Sequence, residues 1–339
     1  MILVIGDLHF KDSLGYADYI SDRRVGEKKK VLDLIVEESK NCEDVVLMGD
    51  NFNSKNNTSE TNREFVEFIE RFQDKRVHII AGNHEKRGDG KTAIDFLGEI
   101  ERPNWHIYTN NVATVREKDG FKMDFLPFLL KSELGVDSDE AGAAEILARL
   151  GVGDILFAHH AISETSVKGL RTELMKEIVL PKSELEKKYK LVIAGHIHEP
   201  QQVDQTVITG SVFTEAVGEH EKFIWKIGND LSVEKIKLPC REIHKLENPT
   251  TKQLTSIPKE SIVKVIITDK KFKTEEIKLA LERFDASLFI ENIPNERKKA
   301  HKIESGAAFD FSIESLLKLY AEEKEVNYGV LIKGLNLIS

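Results

Sequence analysis

The chain has 339 residues, of which 40% are hydrophobic and 32% charged, with a formal net charge of −9. This is the composition of a globular protein rather than a disordered one, and no apolar run approaches the ~20 residues that a membrane-spanning helix needs. The acidic balance excludes a surface that is basic all over, so any contact with nucleic acid must be local or supplied by a partner.

The opening MILVIGDLHF lacks a positively charged leader, and its apolar run is too short for a signal peptide. Export is therefore not expected, and the expected location is the cytoplasm. Residues 2–6 (ILVIG) read as a buried strand, followed by a helix near 25–39 with Leu32, Ile35 and Val36 on one face. Residues 44–48 (DVVLM) form a second strand. The next stretch, 59–73, puts Phe65, Phe68, Ile69 and Phe72 at helical spacing, a stripe that reads as packing. Residues 77–81 (VHIIA) are a third strand. A helix around EAGAAEILARLG leads into the strand DILFA, and SELEKKY leads into KLVIA. Beyond Pro200 the pattern becomes hairpin-like, through QTVITGSVF, KFIWKIG and LSVEKIKL.

A polar stretch broken by Pro239, Pro249 and Pro258 marks a boundary at about 239–258. A strand (IVKVIIT), a helix (TEEIKLALERF) and a strand (ASLFIENI) then make a small α/β unit. A charged link, ERKKAHKIES, leads to a last amphipathic helix with Ile313, Leu316, Leu317 and Tyr320 on one face. Alternating short strands and helices predict α/β layering. The two cysteines, Cys42 and Cys240, lie far apart, match no zinc spacing and suit a reducing compartment.

Acids, amides or imidazoles stand at five strand ends: IGDLH, MGDNF, AGNHE, AHH and AGHIH. Each alone is an ordinary turn, but all five directly after apolar runs are not expected by chance. If these segments are extended, Asp7 and His9 face one point while Leu8 faces the core, and His196 and His198 do the same around Ile197. Asp7, Asp50, Asn83, His9, His159, His196 and His198 together supply oxygen and nitrogen donors without thiolate, a set suited to manganese, iron or zinc rather than calcium. Seven ligands exceed what one ion takes while leaving room for substrate, so two divalent ions about 3.5–4 Å apart are expected. Their four positive charges, less Asp7, Asp50 and a bridging hydroxide, leave one, matched to a phosphodiester.

The ordered motifs D-x-H, G-D, G-N-H-E, a lone His after a strand and G-H-x-H resemble the calcineurin-like metallophosphoesterases over roughly residues 1–238. The resemblance implies a four-layer α/β/β/α sandwich in which Asp7, His9, Asp50 and His198 hold one ion. Asp50 bridges to a second ion held by Asn83, His159 and His196, and His84 meets the scissile phosphate. His160 adjoins a ligand position and reads as an orienting or packing residue. The protein Ser/Thr phosphatase branch expects G-D-x-x-D-R-G, whereas here Asp50 is followed by Asn51, Phe52, Asn53, Ser54 and Lys55. The Gly-Asp-x-Phe start, the G-H-I-H-E-P ending and the second domain are similar to the SbcD and meiotic-recombination type of DNA repair nucleases, in particular to the recombination nuclease subunits of T-even-like phages.

That resemblance implies a manganese-dependent exo- or endonuclease cutting phosphodiester bonds with hydroxide activated on two metals. It places the nuclease domain at 1–240, a small α/β capping domain at 255–304 and a C-terminal helical segment at 305–339. The last segment is expected to dock on an SMC-like coiled-coil ATPase of the SbcC type. A homodimer is also implied, through helices near 59–73 and 89–100. The nuclease branch often carries His three residues after the bridging Asp, where this chain has Asn53, an amide that hydrogen-bonds phosphate but does not shuttle protons. Lys11, Asn53, Lys55, Lys86, Arg87, Lys91, Lys168 and Arg171 follow the metal motifs and are expected to form a rim against the DNA backbone. Two other functions compete: a stand-alone phosphodiesterase or nucleotidase acting on a small substrate, and a non-catalytic scaffold on the same fold.

Overall fold

The computed structural model describes residues 1–11, 21–116, 120–167, 170–172, 175–214, 217, 219, 221–269, 271–272, 274–284 and 286–291, with backbone alone for 21–23, 167 and 170–171. The expected link and helix beyond residue 291, and so the end of the capping domain and the whole segment 305–339, lie outside the described residues.

Four strands, Ile2–Ile5, Asp44–Leu47, Arg76–Ile80 and Trp105–Tyr108, pair in parallel. Phe223–Ile227 adds antiparallel to Ile2–Ile5, and Val233–Lys237 adds outside it, completing a six-stranded sheet. The second six-stranded sheet runs Gln201–Val203, Thr206–Ile208, Tyr189–Ala194, Gly153–Ala158, Lys122–Leu126, Ala113–Arg116. Its inner four strands are parallel and its two edges antiparallel. Alternation sorts the side chains: Ile2 and Val4 of the first sheet meet Phe125, Phe157 and Ile193 of the second in one buried layer. Leu3 and Ile5, on the opposite face, meet Ile35, Phe65 and Phe68 from the helices Ser21–Glu38 and Ser59–Glu70. Leu156 and Val192, on the outer face of the second sheet, meet Ile146 and Leu185 from Asp139–Arg149 and Lys182–Lys188. The layers therefore run α/β/β/α, as expected, and burial on both faces explains why the parallel strands read as continuous apolar runs.

Thr58 caps the helix Ser59–Glu70 by accepting from Thr61 N–H at 3.1 Å. Its stripe Phe65, Phe68 and Ile69, with Phe72 just beyond, is buried, at about 1.5–3 kcal/mol per side chain. A separate three-stranded parallel sheet, Ile243–Glu247, Ile262–Ile267 and Ala286–Glu291, packs one face on the helices Thr251–Thr255 and Thr274–Leu281. The polar stretch read as a boundary thus contains a strand and a helix of this unit. Among the described residues, no helix is long and apolar enough to cross a membrane.

Candidate metal centre

Each functional side chain follows the carboxyl end of a parallel strand: Asp7 after Ile2–Ile5, Asp50 after Asp44–Leu47, Asn83 and His84 after Arg76–Ile80, His159 after Gly153–Ala158, and His196 after Tyr189–Ala194. Three overlapping groups result, with the ligand atoms of each within 4.8 Å of one another: Asp7, His9 and His198; His9, Asp50 and His84; Asp50, His159 and His196. Asp50 stands between two pockets. Its Oδ2 lies 3.9 Å from both His9 Nε2 and His84 Nε2, and its Oδ1 lies 3.4 Å from His159 Nε2. Asn83 Oδ1 completes one pocket, 3.1 Å from His159 Nε2 and 2.9 Å from His196 Nδ1.

The outer nitrogens decide which lone pairs face inward. His159 gives its Nδ1–H to Met48 O at 2.7 Å, and His196 gives its Nε2–H to Glu177 Oε1 at 2.9 Å. The nitrogens left over converge with Asn83 Oδ1 and Asp50 Oδ1 on one point, an arrangement that holds a proton or a metal cation between its members. In the other pocket His9 Nε2 and His198 Nε2 approach to 2.9 Å, with Asp7 Oδ2 3.8 Å from the latter. The residues therefore fit two divalent ions of mixed oxygen and nitrogen coordination.

The electrostatics agree. Burial pushes the Asp7 carboxyl up and the His9 imidazole down. Burial opposes charge on Asp50 too, yet the imidazoles of His159, His9 and His84 hold it well below the usual carboxylate range. Burial likewise works against the His159 cation, but Asp50 and Asp7 hold it at about 9. A field that retains a proton there also attracts a metal ion.

Backbone geometry makes room for this convergence. Gly49 has φ of +104°, and a Cβ added to it would stand 2.2 Å from His159 Nδ1; one on Gly82 would stand 2.1 Å from Asp50 Oδ1. His9, Asp50 and His196 themselves have φ of +46°, +44° and +82°, a strained conformation for residues with side chains. Asp7 and His9 still face one point, as expected, but the expectation that His196 and His198 do the same is corrected. The chain turns at His9 and at His196, so His196 and His198 face different pockets although Leu8 and Ile197 between the pairs are buried.

His84 is the exposed member, its ring edge-on to His9 at 4.9 Å. Its Nδ1–H donates to the carbonyl of Asn53 at 2.7 Å, so Asn53 acts here through its backbone, while its side-chain oxygen accepts from Lys11 at 3.5 Å. Arg87 ties its loop to the one after Asp50 by donating to Lys55 O at 3.1 Å, and Lys55, Arg87 and Lys91 are exposed. Lys86 departs from the rim expectation. It is buried, and its ammonium is taken by Glu133 Oε1 and Thr109 O, each at 2.8 Å. Lys168 lies outside the described residues, and of Arg171 only the backbone is described. His160 is buried, accepts from Leu129 N–H at 3.1 Å and stacks on Phe128.

Sequence reasoning missed Glu85, Glu177 and Glu219. Glu85 belongs to the G-N-H-E motif and was within reach; the other two stand in stretches with no motif, and only the folded chain sets them beside His196 and His198.

Residues 1–200 match the family described as Calcineurin-like phosphoesterase. No curated protein matches the chain. Among solved structures it is similar to a Staphylococcus aureus protein described as a 5'-nucleotidase, in complex with alpha-ketoglutarate, at 12% identity over 70% of this chain and 52% of that one. The chain thus spans about half the length of that protein, and with a TM-score of 0.39 the likeness carries no argument here.

Proposed function

The chain belongs to the calcineurin-like phosphoesterases, and from that premise we propose that it is a manganese-dependent DNA nuclease subunit that hydrolyses phosphodiester bonds. The observation that carries the hydrolytic reading is the placement of Asp50 between two acceptor-lined pockets with the exposed His84 imidazole beside it. Two divalent ions, when bound, supply Lewis acidity and an activated water for attack on phosphorus. Asp7, His9, Asp50 and His198 would hold one, and Asp50, Asn83, His159 and His196 the other.

The chain's own residues do the rest. The bond from His84 Nδ1–H to Asn53 O leaves Nε2 to meet a phosphate oxygen or, in the imidazolium form, to hand its proton to the departing deoxyribose oxygen as the P–O bond breaks. DNA is supported by the motif resemblance to repair nucleases and by the exposed Lys55 and Arg87 beside His84. The resemblance also supports a homodimer and an SMC-like ATPase partner, for which residues 309–339, with Leu316, Leu317, Leu331 and Leu335, are the proposed docking element.

The test is cleavage of linear DNA in manganese by wild type and His84→Ala, with nucleoside monophosphates as a parallel substrate. The variant is expected to lose activity by roughly 10²–10⁴-fold while still binding manganese. Equal activity in both proteins refutes the role of His84. Turnover of the mononucleotide with intact DNA would move the assignment to a small-substrate hydrolase.

A further inference from the structure

We propose that Glu177 is a positioning residue that supplies, through His196, the negative charge one of the two ion pockets lacks, an inference that rests on the two-ion reading above. The pockets are unequal in the groups that face them. Asp7 and the shared Asp50 bring two carboxylates to the side of His9 and His198, whereas Asn83, His159 and His196 share only Asp50, because the Asn83 amide is neutral.

Behind the imidazoles each pocket has one more carboxylate. The His196 ring joins Glu177 Oε1 at 2.9 Å by the nitrogen that faces away from the pocket, and the Glu177 side chain is 22% exposed. On the other side Glu219 Oε1 lies 3.6 Å from His198 Nδ1, but Glu219 Oε2 is paired at 2.9 Å with the buried ammonium of Lys222. Lys222 is itself held by Ser211 Oγ at 2.7 Å and the carbonyl of His198 at 3.2 Å. Glu219 therefore reaches His198 at longer range and with part of its charge offset by Lys222, while Glu177 bonds its imidazole directly. A carboxylate accepting the outer N–H of a ligating histidine fixes the ring's tautomer and raises the basicity of the inner nitrogen. The second imidazole of this pocket, His159, gives its outer N–H to the neutral carbonyl of Met48, so the added charge enters through His196. The pocket of Asn83, His159 and His196 then draws on the shared Asp50 directly and on Glu177 at one remove.

The experiment is calorimetric titration of manganese(II) into the full chain without DNA, followed by EPR of the loaded protein. Wild type should take up two ions and show an exchange-coupled pair. Glu177→Gln should keep one ion at wild-type affinity, bind the other tenfold or more weakly, and show isolated manganese in place of the pair. Glu177→Asp, which keeps the charge at longer reach, should show the same selective loss to a smaller extent. Two ions at wild-type affinity in Glu177→Gln overturn the proposal while leaving the two-ion reading intact. Equal weakening of both ions in either variant also overturns it, since that marks a general structural role. Fewer than two ions in wild type removes both readings together.

Discussion

Glu85 Oε1 and Oε2 each accept a backbone N–H at 2.7 Å, from Phe52 and from Gly82. The side chain is fully buried, and burial with the nearby charge of Asp50 pushes it up to about 8, although the two N–H bonds favour its charged form. Glu85 thereby ties the loop after Asp50 to the loop that carries Asn83 and His84. In Glu85→Gln the amide nitrogen would face one of those N–H groups, leaving a buried donor without an acceptor. The expected cost is about 1–3 kcal/mol, read by urea denaturation, with weaker manganese binding because two ligand loops lose their common anchor. Unchanged stability would show that the loops are held elsewhere. Lys86 carries a second lesson at this scale: in the sequence it is one more cation after a metal motif, and its pairing with Glu133, 47 positions away, was not legible.

Strand starts are fastened as firmly as strand ends are functionalised. Asp44 opens one central strand and accepts from Arg76, the first residue of the next, at 2.7 and 2.8 Å, and from His78 Nε2 at 3.2 Å. Burial works to raise its carboxyl, but the His78 and Arg76 bonds win and lower it. A carboxyl lowered by folding adds stability above its unfolded pKa of ~3.9, and that stability is lost as pH falls through the folded value. Asp44→Asn should therefore destabilise by about 1.5–3 kcal/mol at pH 7, with the gap to wild type closing as pH drops below ~4. A gap independent of pH would mean that the charge contributes nothing. Elements with continuous apolar runs were legible because both faces are buried. Trp105–Tyr108, Lys122–Leu126 and Ile243–Glu247 were not, because polar residues interrupt them. Asp124, for one, looks like a strand breaker until Thr114 and Tyr189 are found bonded to it inside the fold.

For the molecule as a whole, the candidate metal centre joins two sheets whose strands come from residues 2–237. Asp7 and Asp50 are essentially unexposed, so without bound cations their mutual repulsion opposes the close approach of two neighbouring strand ends of the first sheet. Manganese at a hundred times its dissociation constant should add about 2.7 kcal/mol per site, a rise of roughly 5–10 °C in melting temperature over the chelated protein. Identical melting curves in EDTA and in manganese would show that neither pocket takes the ion.

The α/β layering, the helical stripes and the gathering of acids and imidazoles at strand ends are legible in the chain alone. These are properties of neighbouring residues, and periods of 2 and 3.6 record them locally. Only the tertiary structure decided which residues meet. His196 reaches Asn83 across 113 positions, turns away from His198 through its own positive φ, and finds Glu177 in a stretch without any motif. Such contacts depend on how loops close over the sheet ends, which no local period in the chain encodes.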